Sequence, residues 1–292
     1  MGNIRYKPDV VKDVERAKTD ISVIHLPAKY QTIELDSRLP YWARRSNPII
    51  RRQLGMYWKT ILPEISGLAK IVLVQVVLVL LTLVWPFLFD LALPTITAAL
   101  LLFPIAVFLY GQILASIGFT AALSIVDELR NGTFDLVRAT PLRLESILAS
   151  KIAAAIWRQV ENLSLLILAV SLLSMPLLIS QYATMYPLDH YPYLSRVAMI
   201  LGLVVSLVRL MIEPFMVGAI GLLAGAAFPL RSTAIITTGF LGGFYFFLLN
   251  LARLVPMPWP VRFVLDFALP IALPLVITWL SLRVTQYLIS RN

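Results

Sequence analysis

The sequence predicts an all-α integral membrane protein with six transmembrane helices. Hydrophobic residues make up 59% of the 292 positions and charged residues only 14%, whereas a soluble domain carries roughly a quarter charged residues. The charges are unevenly spread, since thirteen of the 25 basic residues precede residue 71. Beyond that point apolar runs recur that are long enough to cross a bilayer, which takes about 20 helical residues.

The N-terminal region predicts two segments before the membrane domain. Residues 1–40 are polar and mixed in charge, with no helical or strand period, and we expect a cytoplasmic extension there. Residues 41–66 interleave aromatic and aliphatic residues with basic ones. This pattern is typical of an amphipathic helix in the membrane interface, with rings at the headgroup level and cations toward phosphate. Residues 67–292 then form the predicted six-helix domain.

Six apolar runs predict the spans, and each ends at charged or turn-forming residues. The second run is longer than a bilayer requires, so we expect it to tilt or to project into the cytoplasm. Polar or Pro-rich loops are predicted over residues 181–196 and 253–262. The predicted spans cover residues 70–89, 95–125, 152–179, 197–228, 233–252 and 263–287.

The distribution of Lys and Arg predicts the orientation, because these residues concentrate in cytoplasmic loops. With the N-terminus inside, 21 of the 25 basic residues fall on the cytoplasmic side. Only Arg196, Arg253 and Arg262 fall on the opposite side. Both termini are therefore predicted to be cytoplasmic, in a multi-pass protein of the cell inner or plasma membrane.

Composition also excludes several kinds of chemistry. The chain has no cysteine, which rules out disulfides, thiol catalysis and cysteine metal sites. We predict no metal site and no catalytic site, so the chain is not expected to be an enzyme. The two histidines, His25 and His190, lie outside the predicted spans, which argues against a haem-carrying subunit. The net charge of +9 indicates anionic lipid headgroups rather than nucleic acid, because the charges are segregated.

The charged stretch between the second and third spans, residues 126–151, contains the most informative motif. An acidic helix end is followed by Asn131-Gly132, which is a strong turn signal. Thr133 would then cap a short helix over residues 134–139, which Pro141 would terminate. We therefore expect a short helix on the cytoplasmic surface that carries both charges and apolar side chains, as docking elements do.

This stretch resembles the cytoplasmic loop of the ABC type-2 permease family. In that family an acidic residue precedes Gly-Thr, a few apolar positions, Thr-Pro-Leu and a Lys. The matching residues here are Glu128, Gly132, Thr133, Leu136, Val137, Thr140, Pro141, Leu142 and Lys151. The sequence around Asn47, Pro48, Arg51 and Arg52 is also similar to the interfacial helix before the first span of many of these permeases. The resemblance covers about residues 45–290.

The resemblance implies an exporter of two permease subunits and two ATPase subunits. The short cytoplasmic helix would couple permease and ATPase. It would bind against the ATPase and transmit to the spans the movement by which the two ATPase subunits close around nucleotide. This chain has no Gly-x-x-x-x-Gly-Lys-Ser/Thr phosphate loop. ATP and Mg²⁺ would therefore bind to the ATPase subunit, and we expect no cofactor on this chain. The expected partners are an ABC ATPase subunit, a second permease copy or a similar permease, and membrane lipid, with no nucleic acid.

Arg209 and Glu213 lie one helical turn apart near the middle of the fourth run, and Pro214 follows. A charge at the bilayer centre costs about 3 kcal/mol or more, so neither side chain is expected to face lipid. Two interpretations stay open. The pair lies on the translocation path or dimer interface, with Pro214 loosening the helix, or it neutralises itself and holds spans together.

Glycine patterns predict close helix packing in two runs. Gly218, Gly221 and Gly225 line the end of the fourth run, and small residues four apart allow helices to approach. A second group, formed by Gly239, Gly242 and Gly243, predicts the same for the fifth run.

Two other functions fit the sequence. One is a structural or accessory membrane subunit of a larger complex that keeps the permease scaffold. The other is a secondary transporter that needs no ATPase, which the scarcity of acidic residues within the spans disfavours.

Overall fold

The computed structural model describes residues 38–55, 65–134, 136, 142–185, 190–255 and 257–291. Among these residues the regular structure is helical and contains no strand. The chain divides into two units, residues 1–39 and residues 40–292. Arg38 and Leu39 are the described residues of the first unit.

The second unit is a bundle of long helices. A 3₁₀ turn, Tyr41–Ala43, precedes the first α-helix. The α-helices are α1 (Pro48–Leu54), α2 (Ile65–Leu81), α3 (Leu88–Arg130), α4 (Leu144–Met185), α5 (Pro192–Ala227), α6 (Arg231–Leu254) and α7 (Trp259–Arg291). Five of them, α3 to α7, are long and apolar enough to cross a membrane. Their length and composition indicate a multi-pass helical membrane protein, in agreement with the sequence prediction.

The first predicted span, residues 70–89, is not a single helix. α2 ends at Leu81, and in the turn that follows, the N–H of Trp85 donates to the carbonyl oxygen of Leu81 at 2.9 Å. Pro86 explains the break, because proline disfavours helical backbone at the residue before it and has no N–H to donate. With 17 residues, α2 falls short of the five long helices. The first predicted span is therefore wrong in its extent, and the prediction of six spans is confirmed for five.

The polar loop predicted over residues 181–196 is also wrong in its extent. α4 continues to Met185 and α5 begins at Pro192. Proline suits the first position of a helix, since its missing N–H would have no helical partner there. The loop predicted over residues 253–262 is shorter too, because α6 and α7 both extend into it.

α5 lies at the centre of the bundle and packs against α3, α4, α6 and α7. Its crossing with α3 is very close. A Cβ atom added at Gly221 would lie 2.2 Å from the carbonyl oxygen of Gly118, and one at Gly225 would lie 2.4 Å from that of Ala122. The predicted close packing of the α5 glycines is confirmed, because the two backbones touch where a side chain would stand.

The other predicted glycine contacts have mixed outcomes. A Cβ atom added at Gly218 would lie 2.8 Å from Cγ2 of Ile152, so this glycine also marks a close contact. On α6, Gly239 would make only an ordinary contact, and a Cβ atom at Gly242 or Gly243 would meet nothing within 4 Å. Close packing is therefore wrong for the α6 group, whose helix stands further from its neighbours at these positions.

Candidate functional site

The end of α3 is a Schellman motif built from residues that the sequence singled out. Gly132 has a φ of +65°, in the left-handed region that favours glycine. Its N–H donates to the carbonyl oxygen of Leu129 at 3.3 Å, and the N–H of Thr133 donates to that of Glu128 at 3.0 Å. These two bonds occupy carbonyls that a helix end leaves unpaired. The predicted turn at Asn131-Gly132 is therefore confirmed.

The loop leaves this turn with one apolar side chain inside and one outside. Phe134 is buried among residues of α3, α4, α5 and α7. Leu136 is 72% exposed. The first fixes the start of the loop, and the second is accessible to a partner. Thr140 and Pro141, together with most of the short helix predicted over residues 134–139, lie outside the described residues.

A buried ion pair joins the end of α3 to α4. Nζ of Lys151 lies 2.7 Å from Oε2 of Glu128 and also donates to the carbonyl oxygen of Ser124 at 3.2 Å. The side chains of Lys151 and Glu128 are 1% and 16% exposed. Removing one partner of a buried pair costs about 3–5 kcal/mol, because the other charge is left uncompensated. The pair therefore positions the end of α3 rather than presenting charge to a partner's surface.

α1 docks on α4 beside this pair. Oδ1 of Asn47 accepts the N–H of Ile49 at 2.9 Å, and Pro48 follows at the first helical position. Nδ2 of Asn47 donates to Oγ of Ser150 at 3.1 Å. Since Ser150 directly precedes Lys151, two motifs that are about a hundred residues apart in sequence meet on one turn of α4.

The predicted amphipathic character of α1 is confirmed. Ile50 and Leu54 are buried, whereas Arg51 and Arg52 are exposed. A single helix over residues 41–66 is nevertheless wrong at its start, because a non-helical segment separates the 3₁₀ turn from α1. The proline that opens α1 disfavours helical backbone at the residue before it.

Three contacts that the sequence did not predict hold residues 43–53, here called the N-terminal segment, against α4. Nε1 of Trp157 donates to the carbonyl oxygen of Ala43 at 3.0 Å. The guanidinium of Arg45 lies 5.1 Å from the centroid of the Trp157 ring. Arg158 donates to the carbonyl oxygen of Gln53. Arg45 and two backbone carbonyls of this segment thus make contacts within the protein, and the placement of the segment in the membrane interface stays a prediction.

Arg209 and Glu213 form a second polar site in α5. Nε of Arg209 lies 2.5 Å from Oε1 of Glu213. Oε1 also accepts the hydroxyl of Tyr245 of α6 at 2.8 Å. Oε2 accepts the hydroxyl of Tyr110 of α3 at 2.9 Å. Both oxygens of a fully buried carboxylate are therefore bonded, from three different helices.

This network compensates the burial of its charges. The guanidinium of Arg209 also lies 5.8 Å from the ring centroid of Phe246. Because the carboxylate is hydrogen-bonded on both oxygens, the geometry favours a junction between α3, α5 and α6 over a side chain that lines an open path. Tyr110 and Tyr245 had no sequence signal, because a tyrosine near the middle of an apolar run does not indicate its partner on another helix.

The structure thus brings together two of the three predicted groups of residues. The loop residues and the α1 residues meet on α4, whereas Arg209 and Glu213 lie in a different part of the core. Compared with known proteins, the chain matches no family model, and no curated protein or solved structure is detectably similar to it.

Proposed function

We propose that the chain is the membrane-spanning permease subunit of an ABC exporter, with ATP hydrolysed by a separate ATPase subunit. The observation that carries the proposal is the buried pair of Glu128 and Lys151 beneath the loop between α3 and α4. A loop that receives force from a partner must have a rigid base, and this pair joins the two helices that flank it. In this proposal α2 serves as a sixth span, and both termini are cytoplasmic.

The contacts of the loop supply a route for movement into the bundle. Phe134 is buried between helices, so a displaced loop would press on the core directly. The end of α3 is fixed to α4 by Lys151, and further along, α3 touches α5 backbone to backbone at Gly221. Packed helices shift as units rather than deform continuously. Movement at the loop would therefore reach α4 and α5 together, as alternating access requires.

The accessible side chains of the loop have the composition expected of a surface that binds an ATPase. Leu136 is apolar and exposed, and Arg130 and Arg143, at the two ends of the loop, are exposed as well. An exposed apolar residue flanked by cations fits an apolar groove with an acidic rim. Substrate would cross between this chain and a second copy or a similar permease.

The proposal is tested by purifying the full-length protein from its native membrane and assaying ATPase activity in the eluate. Leu136→Asp puts a charge on the docking surface and is expected to lose the nucleotide-binding subunit. Ser232→Asp is the matched control, because it adds the same charge to an exposed position at the N-terminus of α6. Beside it, Arg231 joins α6 to α3 through an ion pair, with 2.7 Å between its Nη2 atom and Oδ1 of Asp127. Retention of the ATPase by the Leu136 variant would refute the docking role of the loop.

A structural or accessory membrane subunit is the second candidate, and one observation favours it. The charges of Arg209 and Glu213 are engaged within the bundle and do not line an open path. In the same purification, other membrane subunits without any ATPase activity would support this role and would contradict the exporter.

A further inference from the structure

A cavity of about 400 Å³, widely open to its surroundings, lies between the 3₁₀ turn, the first turns of α4 and the C-terminal half of α7. Its wall contains two tryptophans, Trp42 and Trp279, and an acid and a base, Glu145 and Arg283. Pockets that bind small ligands are apolar and aromatic with a few convergent polar groups, and begin at about 300 Å³. The cavity has both the size and the composition of such a site.

The two charges of the cavity are paired only loosely. Nη1 of Arg283 lies 3.6 Å from Oε1 of Glu145, and both side chains are about 60% exposed. An exposed pair at this distance contributes little to stability. A ligand that carries both charges would therefore replace it at small cost, with an anionic group on Arg283 and a cationic group on Glu145.

The tryptophans of the cavity favour a position at the level of lipid headgroups. Trp279 is more than half exposed, and the guanidinium of Arg283 lies 6.0 Å from its ring centroid. Trp42 is fixed by an edge-to-face contact with Phe215, at 6.3 Å between centroids. Tryptophan is enriched where the apolar core of a membrane meets the headgroups. Glu145 lies in the first turn of α4, seven residues before the predicted span that begins at residue 152, which is a helical rise of about 10 Å.

We propose that this cavity binds the headgroup of a zwitterionic phospholipid. The phosphate binds the guanidinium of Arg283, which matches phosphate geometry, and the ammonium binds the carboxylate of Glu145. The indole rings cover the glycerol and the first carbons of the acyl chains. An anionic lipid fits less well, because it brings no cation to Glu145. The bound lipid joins the N-terminal turn to α4 and α7, whether or not the chain transports anything.

The experiment titrates the full-length protein, purified in a maltoside detergent, with short-chain phosphatidylethanolamine and measures binding by native mass spectrometry. The expected result is one saturable site per chain, with phosphatidylglycerol bound about tenfold more weakly. Glu145→Gln and Arg283→Gln should each weaken the binding of phosphatidylethanolamine about tenfold. Trp279→Leu should weaken it about fivefold.

Trp85→Leu is the matched control, since Trp85 is also an exposed tryptophan but lies in the turn between α2 and α3. Its binding of phosphatidylethanolamine should equal that of the native chain. The charged variants should keep their fold because both positions are exposed, and gel filtration checks this. Equal binding of both lipids by the native chain, or unchanged binding in the charged variants and in Trp279→Leu, would overturn the proposal.

Discussion

The crossing of α3 and α5 predicts a large effect of Gly221→Ala. The added Cβ atom would lie 2.2 Å from the carbonyl oxygen of Gly118 and 3.2 Å from Cβ of Ala121. Ordinary contacts of this kind begin at 3.4 Å, so the helices must separate by about 1 Å at this level. The nearest atoms are backbone, and no side chain can rotate away to make room.

The cost follows from that separation. A gap of about 1 Å forfeits up to roughly half of the attraction between the atoms that line it. Overpacked cores lose about 1–3 kcal/mol, and the rigid contact here places Gly221→Ala at about 3 kcal/mol. The better helix propensity of alanine returns up to about 1 kcal/mol. The net loss of about 2 kcal/mol lowers Tm by about 5 °C, at roughly 2–4 °C per kcal/mol.

The assay is a thermal scan of the purified protein followed by tryptophan fluorescence, with all variants scanned at one rate because such unfolding is often irreversible. Gly111→Ala is the control on α3, since a Cβ atom there meets nothing within 4 Å. It should unfold at the native temperature or slightly above. Gly225→Ala should behave like Gly221→Ala. If Gly221→Ala and Gly111→Ala unfold together, the two backbones do not touch at this crossing.

Three further predictions concern the polar contacts. Lys151→Met should lower the free energy of unfolding by about 3–5 kcal/mol, because it leaves the carboxylate of Glu128 buried without its partner. In a double-mutant cycle, adding Glu128→Gln should restore part of that loss. Strict additivity of the two free-energy changes would count against the ion pair. Tyr110→Phe and Tyr245→Phe should each cost about 1.5–3 kcal/mol by removing a hydrogen bond to a buried carboxylate. A thermal scan that shows no change in either variant would contradict a junction of α3, α5 and α6 at Glu213. Asn47→Ala should cost about 1–2 kcal/mol through loss of the helix cap and should speed proteolysis of the N-terminal segment, whereas native-like resistance would mean that α1 is held by its other contacts.

The helices that the sequence predicted well are those whose ends coincide with a change in polarity. α6 is an example, because Arg231 begins it and Arg253 lies in its last turn. The break between α2 and α3 was missed because polarity does not change there. Leu83, Val84 and Phe87 are as apolar as a span, and Pro86 alone does not mark a break, since α3 continues through Pro104. Average hydropathy therefore continues across the break.

In the candidate site, the features that the sequence predicted depend on neighbouring residues, and those it missed depend on residues far apart in the chain. The turn at Gly132 and the cap at Asn47 depend on neighbouring residues, so their sequence signals were sufficient. Tyr110 and Tyr245 lie 103 and 32 residues from Glu213. Their role depends on which helices lie side by side, and no local pattern determines that. The contact between Asn47 and Ser150 has the same cause.

The seat of α1 on α4 has a consequence for how the protein is made. The residues that hold the N-terminal segment, Ser150, Trp157 and Arg158, lie 103 to 114 positions further along the chain than their partners. At ribosomal speeds of about 5–20 residues per second, α1 is synthesised roughly 5–20 s before these contacts exist. During that interval its buried face, Ile50 and Leu54, lacks the surface of α4 against which α1 packs in the folded chain. α1 can therefore take its final place only after α4 has been synthesised.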